Sequence, residues 1–234
     1  MAVAGVFFSS LSYLYQNETL NNTQQTKPPF ISSTVHLLAN PEYRAYLTIV
    51  SGAVGMYFCF LSGAPYVAME LRGFTASTFG IWFSMVAVGY LTGNFLAGRY
   101  SQKLGTQSMI RLSMIPILSG AVLFWLLSGW DSLLGLFLPM QLVALSNGMC
   151  LPNLTSAAMS VRPDLAGTAS GLMGTIQIST GMVLTLITSL LLQDTAIPLY
   201  TMISFAAIVC LTGYWLLTGI SSSPGKTTAT TSEP

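Results

Sequence analysis

Residues 89–105 read GYLTGNFLAGRYSQKLG, an apolar segment that runs into a basic one. Small residues recur at every fourth position, so they share one face of a helix: Gly89, Gly93 and Ala97. Two cations, Arg99 and Lys103, follow between glycines. A nearly uncharged helix that ends in cations is typical of a membrane span that reaches the side where positive charge is retained.

The composition of the whole chain indicates the same environment. Only 6% of the 234 residues are charged and 52% are hydrophobic, whereas ordinary soluble domains carry about 25% charged residues. The chain has too few charges to coat itself for water, so we predict that its surface faces a lipid bilayer. Eight Lys and Arg nearly balance seven Asp and Glu, and no nucleic-acid partner is expected. Three cysteines lie in apolar runs and are expected as small buried side chains: Cys59, Cys150 and Cys210.

Six apolar windows are long enough to cross a bilayer, which takes roughly 20 residues. They cover residues 45–68, 76–98, 108–129, 132–156, 166–192 and 197–219. The runs are continuous and lack the alternation of barrel strands. We therefore predict an all-α integral membrane protein with a six-helix bundle.

The segments outside the bundle have a different composition. Residues 1–16 form a half-length apolar run without the basic start of a signal peptide, and we interpret them as the remnant of a preceding helix. Residues 17–42 are polar and broken by prolines, which predicts a linker with a short surface helix around 35–39. The bundle then occupies 43–220, and 221–234 are expected to be a disordered tail.

The cations are distributed unequally between alternate loops. Seven lie on one side: Lys27, Arg44, Arg99, Lys103, Arg111, Arg162 and Lys226. The opposite side has only Arg72. Because Lys and Arg are retained in the cytoplasm, the linker, the loops after the second and fourth spans, and the C-terminus are predicted to be cytoplasmic.

Six spans divide into two triplets, which predicts two three-helix repeats. The first span of each triplet is interrupted by helix-breaking residues: Gly63, Pro65, Gly148 and Pro152. Paired breaks at corresponding positions predict a transporter binding cavity, although Gly and Pro are also frequent in membrane helices generally. The middle spans each carry a small-residue face, in the second triplet Gly167, Gly171 and Gly174. Such faces allow close helix contact, either among these six helices or with another bundle.

Three segments carry a family resemblance: FLSGAPYVAMELRGFTASTFG (60–80), GYLTGNFLAGRYSQKLG (89–105) and LPNLTSAAMSVRPDLAGTASGL (151–172). Together they resemble the C-terminal half, helices seven to twelve, of major facilitator superfamily transporters. More narrowly, they resemble the bicyclomycin/chloramphenicol-resistance family of multidrug efflux proteins. The resemblance covers residues 43–219 and implies that 1–16 are the end of helix six. It also implies, as a partner, an N-terminal six-helix half that this chain lacks.

The resemblance assigns roles to several groups of residues. A cytoplasmic loop motif is implied at Gly98, Arg99, Lys103 and Gly105, without the acid that the superfamily's first-half motif includes. A purely topological role for its cations stays open. The small faces match helices that pack across the two halves. The broken spans match helices that line the central cavity, which implies these substrate-contacting residues: Tyr57, Phe58, Phe60, Tyr66, Gln141, Asn147, Met149 and Asn153.

The implied function is export of drug-like amphipathic compounds by proton antiport across the bacterial inner membrane. The proton gradient would supply the energy, and neither a cofactor, a metal nor an enzymatic activity is expected. Proton coupling needs an acid or a His within the membrane, but every Asp and Glu here lies in a loop or near a helix end, and His36 is in the linker. The coupling acid is therefore expected in the absent half. The alternatives are a six-helix channel or structural protein, and a half-transporter that acts as a dimer.

Overall fold

The computed structural model describes residues 29–221. The predicted helix-six remnant, the first part of the linker and the tail from 222 onward lie outside the described residues. Across residues 29–221 the chain is helical and contains no strand. Its helices are α1 Phe30–Ala39, α2 Pro41–Pro65, α3 Ala76–Leu104, α4 Thr106–Leu126, α5 Leu133–Val161, α6 Ala166–Leu191 and α7 Ile197–Ser221.

Six of these helices, α2 to α7, are long and apolar enough to cross a membrane. The all-α, six-span prediction is therefore confirmed, and each predicted window coincides with one helix. The largest difference is at the end of α3, which continues past the first cation to Leu104. It ends there because Gly105 adopts φ 84°, a left-handed conformation that favours glycine and stops the helix.

The starts of α2 and α3 are fixed by polar side chains that the sequence places just before these spans. Asn40 Oδ1 accepts hydrogen bonds from the backbone N–H groups of Glu42 at 2.9 Å and Tyr43 at 3.2 Å, which caps α2. Thr75 Oγ1 accepts from the Thr78 N–H at 3.3 Å and caps α3. Because a helix start has N–H groups without intrahelical partners, these caps set where α2 and α3 begin.

The first helix of each triplet is central and packs mainly against helices of the other triplet. The central helices are α2 and α5, in which 67% and 72% of the most apolar window is buried, whereas the figure is 17% for both α3 and α6. Helix α2 packs mainly against α6 and α7, and α5 packs mainly against α3 and α4. The first helix of each triplet thus packs mainly on the second and third helices of the opposite triplet, and this reciprocal pattern agrees with two three-helix repeats.

A buried arginine joins the helix ends on the face predicted to lie outside. The Arg72 side chain is only 6% exposed and lies 4.0 Å from Asp131. Its Nη1 donates to the Ser132 carbonyl oxygen at 2.9 Å, and its Nη2 donates to the Tyr200 hydroxyl at 3.1 Å. These bonds connect the end of α2 to the starts of α5 and α7.

The predicted helix breaks take different forms in the two spans. After Pro65, α2 continues as a π-helical segment, Tyr66–Leu71, so the hydrogen-bond pattern changes but the span does not end. Gly63 provides close contact with α7, because a Cβ there would lie 2.8 Å from Leu199 Cδ1.

The prediction of a break in the second triplet is wrong. Helix α5 is continuous through Gly148 and Pro152. In a bilayer, one lost hydrogen bond at a proline costs less than exposing several backbone groups at a break. Gly148 instead allows close helix contact, since a Cβ there would lie 2.8 Å from the Asn94 backbone nitrogen on α3.

Candidate substrate cavity

A cavity of about 340 Å³ lies between α2, α3, α5 and α6. Helix α2 contributes Val54, Tyr57 and Phe58 to its wall. The remaining wall residues come from the other three helices: Phe83, Val86, Ala87, Tyr90, Ala144, Asn147, Leu151 and Gln177. The cavity therefore joins one helix pair from each triplet.

Three of the eight predicted substrate-contacting residues line this cavity: Tyr57, Phe58 and Asn147. The two aromatic rings meet edge to face, with centroids 6.1 Å apart and planes at 88°. The Phe58 ring is held from behind by α6, where a Cβ on Gly181 would lie 2.7 Å from Phe58 Cδ2. The aromatic wall is thus fixed by a close contact between α2 and α6.

Asn147 is the polar centre of the wall. It is only 3% exposed, and its Nδ2 donates to the Ala53 carbonyl oxygen of α2 at 3.0 Å. Its Oδ1 is buried and has no hydrogen-bond partner within residues 29–221. An unpaired buried acceptor costs roughly 1–3 kcal/mol, so a bound donor that reached this oxygen would gain from pairing with it.

The other five predicted residues do not line the cavity. Phe60 is fully buried in the core, where its ring centroid lies 6.4 Å from that of Phe124 and 5.5 Å from that of Phe137. The reason is helix geometry, because residues two apart point to nearly opposite sides of a helix. Tyr66 is partly buried at the start of the π-helical segment, outside the cavity wall.

The remaining residues on α5 lie on other faces of that helix. Gln141 and Met149 lie along the contact with α3, near Gly89 and Gly93 respectively. Asn153 lies in a separate groove of about 500 Å³ between the ends of α3 and α5, and its Nδ2 is bound to the Met149 carbonyl oxygen at 2.8 Å. The prediction that they share one cavity with Tyr57 is therefore corrected.

Sequence reasoning missed the contribution of α3 and α6. The missed aromatic residues are Phe83 and Tyr90, and the missed amide is Gln177. A signal existed, because Phe83, Val86 and Tyr90 are spaced by three and four positions and therefore share a helix face. In an otherwise apolar span, that spacing does not distinguish a cavity wall from a lipid-facing stripe.

The cavity wall suits an uncharged, largely apolar ligand. Four aromatic side chains and several aliphatic ones line it, two amides provide polar contacts, and no Asp, Glu, Lys, Arg or His is among its wall residues. Apolar pockets with few polar groups orient small molecules through one or two hydrogen bonds while tolerating variation in shape.

The small-residue face of α3 lies inside the bundle. A Cβ on Gly93 would lie 2.9 Å from the Gly148 Cα, and one on Gly89 would lie 2.9 Å from the Gln141 carbonyl oxygen. Ala97 is also buried, at 3% exposure. The prediction that these three residues face another bundle is wrong, because α5 already covers them; the alternative of packing among the six helices is the observed one.

The small-residue face of α6 is different. Gly171 is exposed. Within residues 29–221, a Cβ added to Gly167, Gly171 or Gly174 would have no neighbouring atom within 4 Å. This surface, named here the open flank of α6, is defined by these three glycines. Its role as a contact with another bundle stays a prediction.

Comparison with known proteins agrees with this architecture. The family model described as Major Facilitator Superfamily matches residues 1–185. The chain belongs to the Major Facilitator Superfamily. The family predicted from the three sequence segments is therefore confirmed.

Several curated proteins of drug-resistance type are similar to this superfamily member. A bicyclomycin resistance protein homolog of Haemophilus influenzae is 28% identical and the match covers 76% of this chain and 45% of the relative. A chloramphenicol resistance protein of Pseudomonas aeruginosa is 29% identical, with 75% and 41% covered. Multidrug resistance protein D of Escherichia coli is 26% identical, with 74% and 43% covered. The chain spans less than half the length of these relatives.

The loop motif of this superfamily member lies at the end of α3. Arg99 and Lys103 are exposed, and within residues 29–221 neither forms an ion pair. Gly98 is open to its surroundings, with no atom within 4 Å of a Cβ, and Gly105 ends the helix. The geometry agrees with a topological role for these two cations.

An ion pair follows α5. Arg162 donates from Nε to Asp164 Oδ1 at 2.9 Å and from Nη2 to Oδ2 at 2.7 Å. The hydrogen bonds and the negative charge of Asp164 raise the pKa of the Arg162 guanidinium. The bidentate pair spans the short turn between α5 and α6.

Proposed function

We propose that this bundle is the C-terminal half of a transporter that exports small amphipathic drugs in exchange for protons. The observation that carries the proposal is the uncharged aromatic cavity between α2, α3, α5 and α6. Membership of the Major Facilitator Superfamily and similarity to proteins named for drug resistance support it. Tyr57, Phe58 and Asn147 would be this half's share of the substrate site.

The open flank of α6 supports a second bundle as partner. Close approach of another helix in lipid needs small residues, because no hydrophobic effect drives helices together there. The flank has that character and no partner within residues 29–221. An N-terminal six-helix bundle on this flank would bring its own helices beside the cavity and complete it.

The coupling acid would belong to that second bundle. Glu42 lies in the first turn of α2 and accepts a hydrogen bond from the Tyr46 hydroxyl at 2.9 Å, and Glu70 lies near the opposite end of the same span. Neither is placed at the depth of the cavity wall. Proton antiport across the inner membrane, with the C-terminus in the cytoplasm, would then use the electrochemical gradient as its energy source.

An export assay tests the proposal. Cells lacking their own efflux pumps would express this chain, a six-span N-terminal bundle of a related transporter, or both, and accumulation of labelled chloramphenicol would be followed with and without an uncoupler. We expect uncoupler-sensitive export only when both are expressed. Uncoupler-sensitive export by this chain alone would place the coupling group inside it. Cross-linking of Gly171→Cys between copies in such cells would then favour the dimer, the second candidate that the open flank allows.

A further inference from the structure

Asn147 is the middle residue of α5, Leu133–Val161, and the direction of its amide group is fixed. Its Nδ2 donates to the Ala53 carbonyl oxygen of α2 at 3.0 Å. The reversed orientation would place the amide oxygen against that carbonyl oxygen, and two acceptors cannot pair. The oxygen end, Oδ1, is therefore held away from Ala53.

The Oδ1 atom of Asn147 is left without a donor by the protein. Among the residues that the structure describes, no group donates to it, although Tyr57, Tyr90 and Gln177 carry hydroxyl or amide donors on the same cavity wall. Buried polar groups in folded proteins are paired in the great majority of cases. An unpaired acceptor on a cavity wall therefore indicates that a molecule inside the cavity supplies the donor.

A water molecule is a poor occupant of this position. A buried water makes about three hydrogen bonds, but the α5 wall residues one turn before and after Asn147 are apolar, namely Ala144 and Leu151. Val54 and Val86 add aliphatic groups from α2 and α3 to the same wall. A ligand with an apolar body and one donor gains both from the oxygen and from its apolar surroundings.

The wall also limits the charge of such a ligand. Among the described residues that form it there is no Asp or Glu, so a cationic donor would lose its hydration without gaining a counter-charge. The desolvation cost of an unpaired ion exceeds what a cation–π contact with the aromatic side chains returns. The donor that suits Asn147 is therefore neutral, a hydroxyl or an amide N–H.

We propose that Asn147 determines the specificity of the cavity, because its Oδ1 accepts a hydrogen bond from uncharged, largely apolar molecules that carry a hydroxyl or an amide N–H. This selection rests on the proposed function, in which the cavity holds the substrate. A molecule with the same apolar body but no donor would leave the oxygen unpaired and would bind about tenfold more weakly.

Equilibrium dialysis with the purified chain in detergent tests this selection. Three probes share one ring system: naphthol carries a neutral donor, naphthyl methyl ether carries none, and naphthylmethylammonium carries a charged donor at neutral pH. Empty micelles give the partition of each probe into detergent, which is subtracted. We expect naphthol to bind about tenfold more tightly than either of the other two probes.

Two leucine variants assign the preference to one amide. Asn147→Leu should remove the preference for naphthol over the ether. The matched control is Asn153→Leu on the same helix, because Asn153 is also buried, at 4% exposure, bonds through Nδ2 to a backbone carbonyl oxygen, and lies outside the cavity wall. The control should keep the preference, and SDS unfolding checks that both variants fold. A preference retained in Asn147→Leu, or lost in the control, would mean that another group selects the ligand.

The unsubstituted chain provides a test that needs no variant. Equal affinities for naphthol and the ether would overturn the proposal, and so would binding of neither probe or tighter binding of the ammonium ion. Because dialysis measures binding alone, these outcomes are separate from those of the export assay. Export without a preference for donors would leave the proposed function intact and exclude this role of Asn147, whereas a donor preference without export would support the role of Asn147 and count against the proposed function.

Discussion

Replacement of Gly93 by Ala should separate α3 from α5. The added Cβ would overlap the Leu145 carbonyl oxygen and would lie 2.9 Å from both the Gly148 Cα and the Met149 nitrogen. All three are backbone atoms of one helix, so no side-chain rotation relieves the overlap. The helices themselves must move.

The size of the effect follows from that movement. A carbon–oxygen contact needs about 3.3 Å, so α3 and α5 must separate by roughly 1 Å along their line of contact. A gap of this size forfeits about a quarter to a half of the dispersion energy of each contact. Overpacking costs about 1–3 kcal/mol, and replacing glycine in a helix returns about 0.5–1 kcal/mol. We expect a net destabilisation of about 1 kcal/mol, and at most about 2.5 kcal/mol.

The matched control is Gly98→Ala, on the same helix, where a Cβ meets no atom within 4 Å. It should be neutral or stabilising by up to about 1 kcal/mol. Unfolding by SDS of the purified protein in detergent would be followed by tryptophan fluorescence, since Trp82 of α3 lies 6.1 Å from Phe137 of α5 and reports on the contact. Equal unfolding midpoints for the two variants would show that the small-residue face of α3 is not a close contact.

Three further predictions concern the cavity, the outer face and the open flank. Phe58→Ala should weaken the proposed export and destabilise the bundle less than Phe60→Ala, because Phe58 is only partly buried; Phe60→Ala should cost about 3–5 kcal/mol, and transport and SDS unfolding separate the two. Arg72→Met should destabilise by about 1–3 kcal/mol because it leaves buried acceptors unpaired, and Arg99→Met, at an exposed position, should not; equal midpoints would contradict this. Gly171→Leu should preserve the unfolding midpoint but abolish co-purification with an N-terminal bundle, and retained co-purification would exclude the open flank as the contact.

The span pattern was predictable because the bilayer imposes length and polarity on each helix. A run of about 20 apolar residues has few alternatives to a spanning helix, and alternating cations fix which ends lie together. The ends were less predictable. Apolarity stops at Arg99, but the α3 helix does not, because long cationic side chains reach the interface while their backbone stays helical. The stop signal was Gly105, six residues later.

Side-chain orientation was much harder to predict, and the pair Phe58 and Phe60 shows why. In a soluble protein, the polar face of a helix reveals which side is buried. In a bilayer, both the core and the lipid-facing surface are apolar, so periodicity carries little information on direction. Phe58 and Phe60 have the same chemistry and lie two residues apart, yet one lines a cavity and the other fills the core.

A face of small residues predicts that another helix can approach closely, but it does not predict which helix. The small-residue faces of α3 and α6 show this. Gly93 contacts α5 so closely that a methyl group does not fit, whereas Gly171 has open space. The same four-residue spacing therefore serves an internal contact on one middle helix and leaves a free surface on the other. Since repeated triplets with reciprocal packing would place α3 and α6 in equivalent surroundings, the difference between them is where the two repeats diverge. The small-residue face of α6 is thus open to another helix, whereas that of α3 is covered by α5, and α6 is one of the helices that form the cavity.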